Sequence, residues 1–527
     1  MNRRWISRAA AILLPVWLVC TTEGLCRLTG WGRPALTPDP FVGFSAIHPL
    51  FEVDAERSLH RIAPSRRKFF AYDSFPLDKP TGSRRAFCLG GSTVKGEPYS
   101  IPTAFTTWLE LAINVGEPDH PWDVINCGGI SYASYRLIPI LQECLTYQPD
   151  LFILCTGHNE FLEDRTYGHL KDLGVAAAAS RTFAGRSHLV TLVRDLLPPV
   201  QDPAAVVSLK LRPQLGPETD PILDYHDSLQ AYHWDDDWRR GVVAHYEFNL
   251  RRMLDFAAEA GVPVLLVLPP SNLGGCPPFK SESHPPLSAK DEQQWSKLMA
   301  SARASYAVDR QQSLRDLQHA AEINPGSAET LYDLGQCCVA LARFDEARRC
   351  LIAARDNDVV PLRMISELEA VLRRVARERN VPLLDAHQLL ERQTPRQLLD
   401  DSLLVDHIHP GFDGHQMIAA ALARLMDSEG LTDLADDWET LGAAAWKQHF
   451  NALDYTYFAQ GQRMLRSLEG WTQGRGNGPP AAERFPWRIR AAETTTADSS
   501  DVSDGGDKHD VQQRQEHDRH EQRTCER

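Results

Sequence analysis

The sequence lacks the cysteine spacings of metal sites and disulfide scaffolds. Its 11 cysteines are odd in number and include no Cys-x-x-Cys pair, the spacing that opens many zinc and redox motifs. Cys88, Cys127 and Cys155 instead lie at or near the ends of apolar runs, where a free thiol packs as a small hydrophobe. We therefore expect buried thiols, no metal site and no disulfide framework.

Positive charge is also in short supply. The chain has 56 lysines and arginines against 70 aspartates and glutamates, which gives a formal net charge of −14. A nucleic-acid-binding protein needs a basic surface to meet phosphates, so we expect no nucleic acid partner. The rest of the composition, 43% hydrophobic and 24% charged, is typical of a globular chain with a sizeable core.

A full-length membrane span is missing as well. The uncharged run from Ala9 to Thr22 is shorter than the roughly 20 residues that cross a bilayer. Arg3, Arg4 and Arg8 precede it, which is the pattern of a signal sequence or amino-terminal anchor. No small-x-small cleavage site follows, so we predict an uncleaved membrane anchor with the body outside the cytoplasm. A buried helix of a cytosolic protein is the alternative.

Apolar residues are almost absent from the carboxyl-terminal segment. From about Ala491 onward the sequence consists of Thr, Ser and Asp, then of His, Gln, Arg and Glu. Such a segment cannot bury enough surface to offset the entropy of ordering it. We predict a disordered tail over residues 491–527.

Five short apolar runs alternate with helical patterns in the middle of the chain. The predicted strands are Ser83–Leu89, Trp122–Asn126, Asp150–Leu154, Val262–Leu268 and Val381–Ala386. Strands that alternate with helices form parallel sheets with right-handed crossovers. The pattern therefore predicts an α/β fold, with a parallel sheet of about five strands between layers of helices.

Small polar clusters follow two of these strands, and a third cluster lies late in the chain. Ser92 follows Gly90-Gly91 after the first strand, and Asn159 ends Gly157-His158-Asn159 after the third. Open α/β sheets carry their chemistry at the carboxyl ends of their strands. The late loop contains Asp406-x-x-His409, a spacing that lets a carboxylate orient an imidazole whose other nitrogen faces a serine.

Serine after a strand, Gly-x-Asn after a later strand and a late Asp-x-x-His together resemble the SGNH (GDSL-like) hydrolase family. The resemblance implies a flavodoxin-like strand order and no cofactor or metal. It matches Ser92 to the nucleophile, His409 to the general base and Asp406 to the carboxylate that fixes the tautomer of the base. One departure is that the usual Gly-Asp-Ser is Gly-Gly-Ser here, which puts the hydrogen bonding of the turn in doubt.

The resemblance also implies an oxyanion hole with three donors. Asn159 matches the side-chain donor, and the backbone N–H of Ser92 is the second. The third is a backbone N–H from a glycine after the second strand. That place falls on Ser131 here, with Gly129 the nearest glycine, and the sequence leaves open which amide points into the site.

A helical repeat runs from Lys297 to Asn357. Leu331, Leu334 and Gly335, with later alanines and leucines, fall at the spacing of a tetratricopeptide repeat, which has a period of about 34 residues. This segment resembles about one and a half to two helix pairs, fewer than the three that stack stably alone. We expect it to pack against the rest of the chain and to bind a protein partner. The alternative is a helical insertion that binds no partner.

These patterns divide the chain into seven predicted segments. They are an anchor or signal (1–30), a lead-in (31–82), a first hydrolase part (83–295), a tetratricopeptide-like insertion (296–360), a second hydrolase part (361–430), a helical extension (431–490) and the disordered tail (491–527).

The resemblance implies a serine esterase, and the predicted amino-terminal anchor places it outside the cytoplasm, in the periplasm or cell envelope. Its substrate would be a carbohydrate or lipid that carries an ester, of which acetyl is the simplest. Two alternatives stay open. One is a weak or inactive envelope scaffold that works through the repeat helices, favoured by Gly-Gly-Ser and by Ser131 in place of glycine. The other is an O-acyltransferase acting on an exported polysaccharide.

Overall fold

A computed structural model describes residues 39–168, 212–224 and 228–472, with positions 14, 17–26, 29, 189, 192 and 210. The predicted tail and most of the predicted anchor lie outside these residues. Among the helices that are described, none is long and apolar enough to cross a bilayer. The predicted membrane anchor therefore finds no support in this part of the chain.

The central element is a five-stranded parallel sheet. Its strands are β1 (Arg84–Gly90), β2 (Trp122–Gly128), β3 (Leu151–Cys155), β4 (Val264–Leu268) and β5 (Leu383–Asp385). The spatial order is β5-β4-β3-β1-β2, with every neighbouring pair parallel. This is the flavodoxin-like order, so the predicted α/β fold is confirmed.

Helices cover both faces of the sheet, as a parallel sheet requires. Within residues 39–168, 212–224 and 228–472, the α-helices in chain order are α1 (Ser92–Lys95), α2 (Phe105–Gly116), α3 (Ser134–Cys144), α4 (Asp236–Ala260), α5 (Ala289–Ser305), α6 (Arg310–Ile323), α7 (Ala328–Ala340), α8 (Phe344–Asp356), α9 (Ser366–Arg379), α10 (Ala386–Glu391), α11 (Phe412–Ser428), α12 (Trp438–Asn451) and α13 (Tyr455–Thr472).

Alternate residues of β1 show how the three layers form. Phe87 and Leu89 pack on one face with α3, α4 and α9, whereas Ala86 and Cys88 pack on the other face with α2, α10 and α11. Successive side chains of a strand point to opposite faces, so one apolar run supplies both cores. The thiol of Cys88 is buried and unpaired, as are those of Cys127 and Cys155.

The register of the sheet aligns the carboxyl ends of its three middle strands. Gly90 at the end of β1 pairs with Gly128 at the end of β2 and with Cys155 at the end of β3. The residues that follow these three positions therefore leave the sheet at one level. This alignment brings Ser92, the 129–131 turn and Asn159 to the same edge.

The lead-in segment contains structure that the sequence did not predict. It forms a small antiparallel sheet of Phe51–Asp54, Leu59–Ile62 and Ser74–Pro76. Phe51 and Phe75 from this sheet pack edge-on against Phe87 of β1, with ring centroids 6.4 and 5.5 Å away. The segment thus extends the core on one face of the central sheet.

The helical insertion consists of four helices, α5 to α8, and lies in the chain between β4 and β5. Side-chain caps begin three of them: Ser288, Asp309 and Ser327 each accept a backbone N–H from the first turn that follows, which satisfies donors that a helix leaves unpaired. Residues from this insertion also contact the loop after β4, as described below.

Candidate active site

The candidate nucleophile lies in a tight turn at the end of β1. Ser92 is the first residue of α1, and the N–H groups of Val94 and Lys95 both donate to the carbonyl of Gly91. The carbonyl of Ser92 in turn accepts the N–H groups of Gly96 and Glu97, both at 3.0 Å. These bonds fix the backbone on both sides of Ser92 and leave its hydroxyl at the strand end.

The structure brings Ser92, His409 and Asp406 into one hydrogen-bonded chain. The Ser92 Oγ lies 2.7 Å from Nε2 of His409, and Nδ1 of His409 lies 2.6 Å from Oδ2 of Asp406. A base within this distance of a hydroxyl, with a carboxylate behind it, is the arrangement of a serine hydrolase. The catalytic roles of the three residues stay predictions, but their geometry is that of a triad.

The loop that carries Asp406 and His409 is closed by its own backbone. The N–H of Val405 donates to the carbonyl of His409 at 2.8 Å. Oδ1 of Asp406 accepts the N–H groups of Ile408 and His409, each at 2.8 Å, which leaves Oδ2 for the imidazole. The Asp-x-x-His spacing therefore folds into a turn in which one carboxylate holds both the backbone and the ring.

The electrostatics of this loop keep the carboxylate charged. Burial raises the pKa of Asp406, but the imidazoles of His409 and His407 and the backbone donors outweigh that effect and hold the pKa well below its usual range. His407 lies beside the pair and is fully buried, and its burial lowers its pKa to about 4. His407 is therefore neutral at physiological pH, and the imidazole that contacts the Ser92 hydroxyl is that of His409.

The same loop also has the composition of a metal site. Ligand atoms of Asp406, His407 and His409 lie within 4.8 Å of one another. However, Oδ2 of Asp406 and Nδ1 of His409 already bond each other, and Nε2 of His409 bonds Ser92. These contacts favour a triad over a metal centre.

Asn159 approaches the backbone of the nucleophile turn. Its Nδ2 donates to the carbonyl of Tyr132 at 3.0 Å, which uses one of the two amide protons. A Cβ added to Gly91 would lie 2.4 Å from the same Nδ2. Gly91 has φ −86° and ψ −156°, a backbone that any residue adopts, so only space excludes a side chain there. The change from Gly-Asp-Ser to Gly-Gly-Ser therefore fits this particular placement of Asn159.

The backbone bonds distinguish the two candidates for the third oxyanion donor. The N–H of Gly129 donates to the carbonyl of Gly90 at 3.0 Å, so this amide already has a backbone partner, and its role in the oxyanion hole stays a prediction. Within the described part of the chain, no backbone carbonyl accepts the N–H of Ser131 or of Ser92. Ser131 has φ +62°, in the left-handed region that glycine favours. Its backbone thus adopts a glycine-like conformation at the position that the resemblance assigns to a glycine.

Asn272 is a residue of this site that the sequence analysis missed. Its backbone N–H donates to the carbonyl of His407 at 2.9 Å, and its Nδ2 donates to the carbonyl of Asp406 at 2.9 Å and to Asp401 Oδ1 at 2.7 Å. Its Oδ1 accepts the N–H of Gly275 at 2.7 Å. A fully buried asparagine therefore ties the loop after β4 to the loop that carries Asp406 and His409, which is the proposed catalytic loop. Its position just after a strand is the signal that could have found it.

The helical insertion supports that loop from the other side. Tyr332 and Gln336 of α7 both donate to the carbonyl of Gly274, at 3.2 and 2.7 Å. Arg363 donates to the carbonyls of Asn272 and Cys276, each at 2.8 Å. The loop from Ser271 to Cys276 is thus held between the insertion and the catalytic loop.

Comparisons with known proteins found one family model and several solved structures. A tetratricopeptide repeat family model matches residues 309–362, which include α6 to α8, and no curated protein matches the chain in sequence. Among solved structures, the chain is similar to a lipolytic protein of the G-D-S-L family from Desulfitobacterium hafniense, with 10% identity over 64% of this chain and 98% of that chain and a TM-score of 0.29.

Two further solved structures are a lipase/acylhydrolase from Enterococcus faecalis and Axe2, an acetylxylan esterase from Geobacillus stearothermophilus. The first has 13% identity over 67% of this chain and 97% of that chain, with a TM-score of 0.30. The second has 12% identity over 65% and 93%, with a TM-score of 0.29. The assignment of the fold rests on the strand order described above.

The placement of Asn159 against Gly91 gives a first testable prediction. In Gly91→Ala the new methyl group displaces the Asn159 amide, so we expect kcat on a short-chain aryl ester to fall by about 10²–10³, the loss typical of removing one oxyanion donor. The matched control is Gly411→Ala, beside the catalytic loop, where the nearest atom to an added Cβ is 3.6 Å away. Equal kcat values for the two variants would contradict this placement of Asn159.

The contacts of Asn272 give a second prediction. Asn272→Ala frees the carbonyl of Asp406, and a shift of about 1 Å in a catalytic group can cost on the order of 10²-fold in rate. We expect kcat to fall by about tenfold or more with KM unchanged, because Asn272 positions the loop and does not bind substrate.

The control for this variant is Asn324→Ala in the insertion. Asn324 is equally buried and holds a loop through Ser283 Oγ at 2.8 Å, so both variants should lose about 1–3 kcal/mol in the free energy of unfolding. Steady-state kinetics and urea denaturation separate the two effects. If kcat changes equally in both variants, Asn272 has only a structural role.

Proposed function

We propose that this protein is a serine hydrolase that cleaves an ester through a covalent acyl-enzyme. The observation that carries the proposal is the chain of two short hydrogen bonds, Ser92 to His409 to Asp406. This chain supports acyl transfer because the hydroxyl of Ser92 contacts a base, His409, and that base contacts the carboxylate of Asp406 that orients it.

The proposed reaction has two steps. His409 Nε2 takes the proton of the Ser92 hydroxyl as Oγ attacks the carbonyl carbon, and the protonated His409 then gives that proton to the leaving alcohol. Water, activated by His409, attacks the acyl-enzyme and releases the carboxylic acid. Asp406 keeps the His409 Nδ1 proton in place throughout, and the charged oxygen of each tetrahedral intermediate accepts N–H bonds from Ser92, Asn159 and Ser131.

The substrate in this proposal is a carbohydrate or lipid that carries a short acyl ester. Ser92, Asn159 and His409 are 7%, 8% and 1% exposed, so little room surrounds the reacting atoms. The cleft of about 410 Å³ beside Arg373 and Leu383 includes none of these residues. A narrow site favours small acyl groups, with acetyl the simplest.

A second function, binding of a protein partner, is favoured by the family match over residues 309–362. Tetratricopeptide helices form extended binding surfaces when they stack. In this proposal α5 to α8 recruit a partner while the triad works on an ester. Transfer of the acyl group to an acceptor hydroxyl, in place of water, uses the same acyl-enzyme and stays an alternative to hydrolysis.

The location of the protein in this proposal is the cell envelope. Arg3, Arg4 and Arg8 before an uncharged run support an amino-terminal anchor with the body outside the cytoplasm. That placement would give the triad access to acylated polysaccharide or lipid.

The test of the proposed function is covalent labelling with a fluorophosphonate probe. We expect the wild-type protein to be labelled and to cleave a short-chain aryl ester, and Ser92→Ala to lose both while its melting temperature is retained. Ser313→Ala, which changes a buried serine of α6, is the matched control and should keep both activities. A folded wild-type protein that takes no label would exclude the hydrolase and leave the scaffold alternative.

A further inference from the structure

Helix α13 begins beside two segments of the site, which are the segment that follows α1 and the start of α11. The Tyr457 hydroxyl lies 2.7 Å from Oγ1 of Thr103, in the loop that follows α1. Phe458 packs edge-on against Phe412, with ring centroids 5.9 Å apart. Because Phe412 opens α11 directly after the His409 loop, this end of α13 rests on residues that flank both Ser92 and His409.

The middle of α13 rests on Tyr99. A Cβ added to Gly461 would lie 2.1 Å from the Tyr99 ring, so the helix backbone and the ring are in direct contact. The Tyr99 ring in turn lies 4.5 Å from that of Phe412, and Gln462 donates to the Tyr99 hydroxyl. Only a residue without a side chain fits at position 461 in this arrangement.

The far end of α13 reaches the opposite side of the site. Trp471 Nε1 donates to Asp224 Oδ1 at 2.9 Å, and the Trp471 ring packs against a cluster that includes Leu162 and Phe279. The N–H of Leu162 donates to the carbonyl of Asn159 at 3.3 Å. The ring of Phe279 lies 5.4 Å from that of His407, so this cluster borders the Asn159 and His407 side.

One end of α13 thus lies on the side of Ser92 and His409, and the other end lies on the side of Asn159 and His407. The helix therefore spans the opening of the site between these two sides. Leu465 and Leu468, which lie between these two ends of α13, are half-buried, whereas Arg463, Arg466 and Glu469 are exposed. The inner face of the helix is therefore apolar and its outer face is charged. An apolar surface between these two sides favours an uncharged acyl group.

We infer that α13 determines the acyl specificity of the site by covering its mouth, so that acetyl and similarly short acyl groups reach Ser92 and long chains do not. This inference rests on the proposed function and identifies the element that limits its substrate. The contact between Gly461 and Tyr99 determines how close α13 lies to the site.

The test compares two glycines of the same helix in the full chain. Gly461→Leu forces α13 away from Tyr99, whereas Gly470→Leu is the matched control, because nothing lies within 4 Å of a Cβ added at position 470. We measure kcat/KM for p-nitrophenyl acetate and p-nitrophenyl octanoate. The octanoate-to-acetate ratio should rise by about tenfold or more in Gly461→Leu, a change typical of altered pocket size, and should stay at the wild-type value in Gly470→Leu.

A milder variant tests the same inference in case Gly461→Leu does not fold. Trp471→Ala removes the bond to Asp224 and frees the far end of the helix, so it should raise the same ratio. An unchanged ratio in either variant, with acetate cleavage and melting temperature retained, would overturn the inference. So would a wild-type enzyme that cleaves octanoate as fast as acetate.

A second readout does not depend on turnover. In a Ser92→Cys background, N-ethylmaleimide and a polyethylene-glycol maleimide compete for the introduced thiol, and peptide mass spectrometry measures the modification. We expect the small reagent alone to react, and both to react once Gly461→Leu is added. If the wild-type protein takes no fluorophosphonate while this size selection persists, the hydrolase proposal fails and the cover stands. If the large reagent reacts without Gly461→Leu, the cover itself is excluded.

Discussion

The site depends on one constraint, which is that the carboxyl ends of β1, β2 and β3 meet at one level of the sheet. Gly90 pairs with both Gly128 and Cys155, so the three segments that follow emerge side by side. Two of these positions lie directly against backbone: an added Cβ would lie 2.2 Å from the Cys155 carbonyl at Gly90 and 2.1 Å from the Lys95 nitrogen at Gly128. Packing of this closeness transmits any shift of one strand end to the others.

The loops at the carboxyl end of the sheet supply the other residues of the site. The catalytic loop supplies Asp406 and His409, and its shape is set partly by its own backbone bonds and partly by Asn272 from the loop after β4. That loop is in turn held by α7 and Arg363. The helical insertion thus contacts the loop that holds Asp406 and His409 in place, which is a physical reason for its position between β4 and β5.

Much of this arrangement could be predicted from the sequence, because its signals are local. Apolar runs alternating with helical patterns predict the parallel sheet, and the Asp-x-x-His spacing predicts which imidazole faces Ser92. The antiparallel lead-in could not be found in this way, since it depends on contacts with residues far away in the chain. Asn272 lies just after a predicted strand, but its role arises from bonds to the distant Asp406 loop, which no local signal encodes. The choice between Gly129 and Ser131 depends on the direction of single backbone amides, which composition does not encode. The position of α13 over the site is likewise set by scattered contacts to Tyr99, Phe412 and Asp224.

The central claim is that Ser92, Asn159 and Ser131 form one oxyanion site beside the triad. The most direct measurement is a crystal structure of the phosphonate adduct of the wild-type protein. We expect phosphorus bonded to Ser92 Oγ, with the phosphoryl oxygen at about 2.7–3.1 Å from the N–H groups of Ser92 and Ser131 and from Asn159 Nδ2. An adduct whose phosphoryl oxygen points away from Asn159, or a phosphonate attached to another residue, would contradict it.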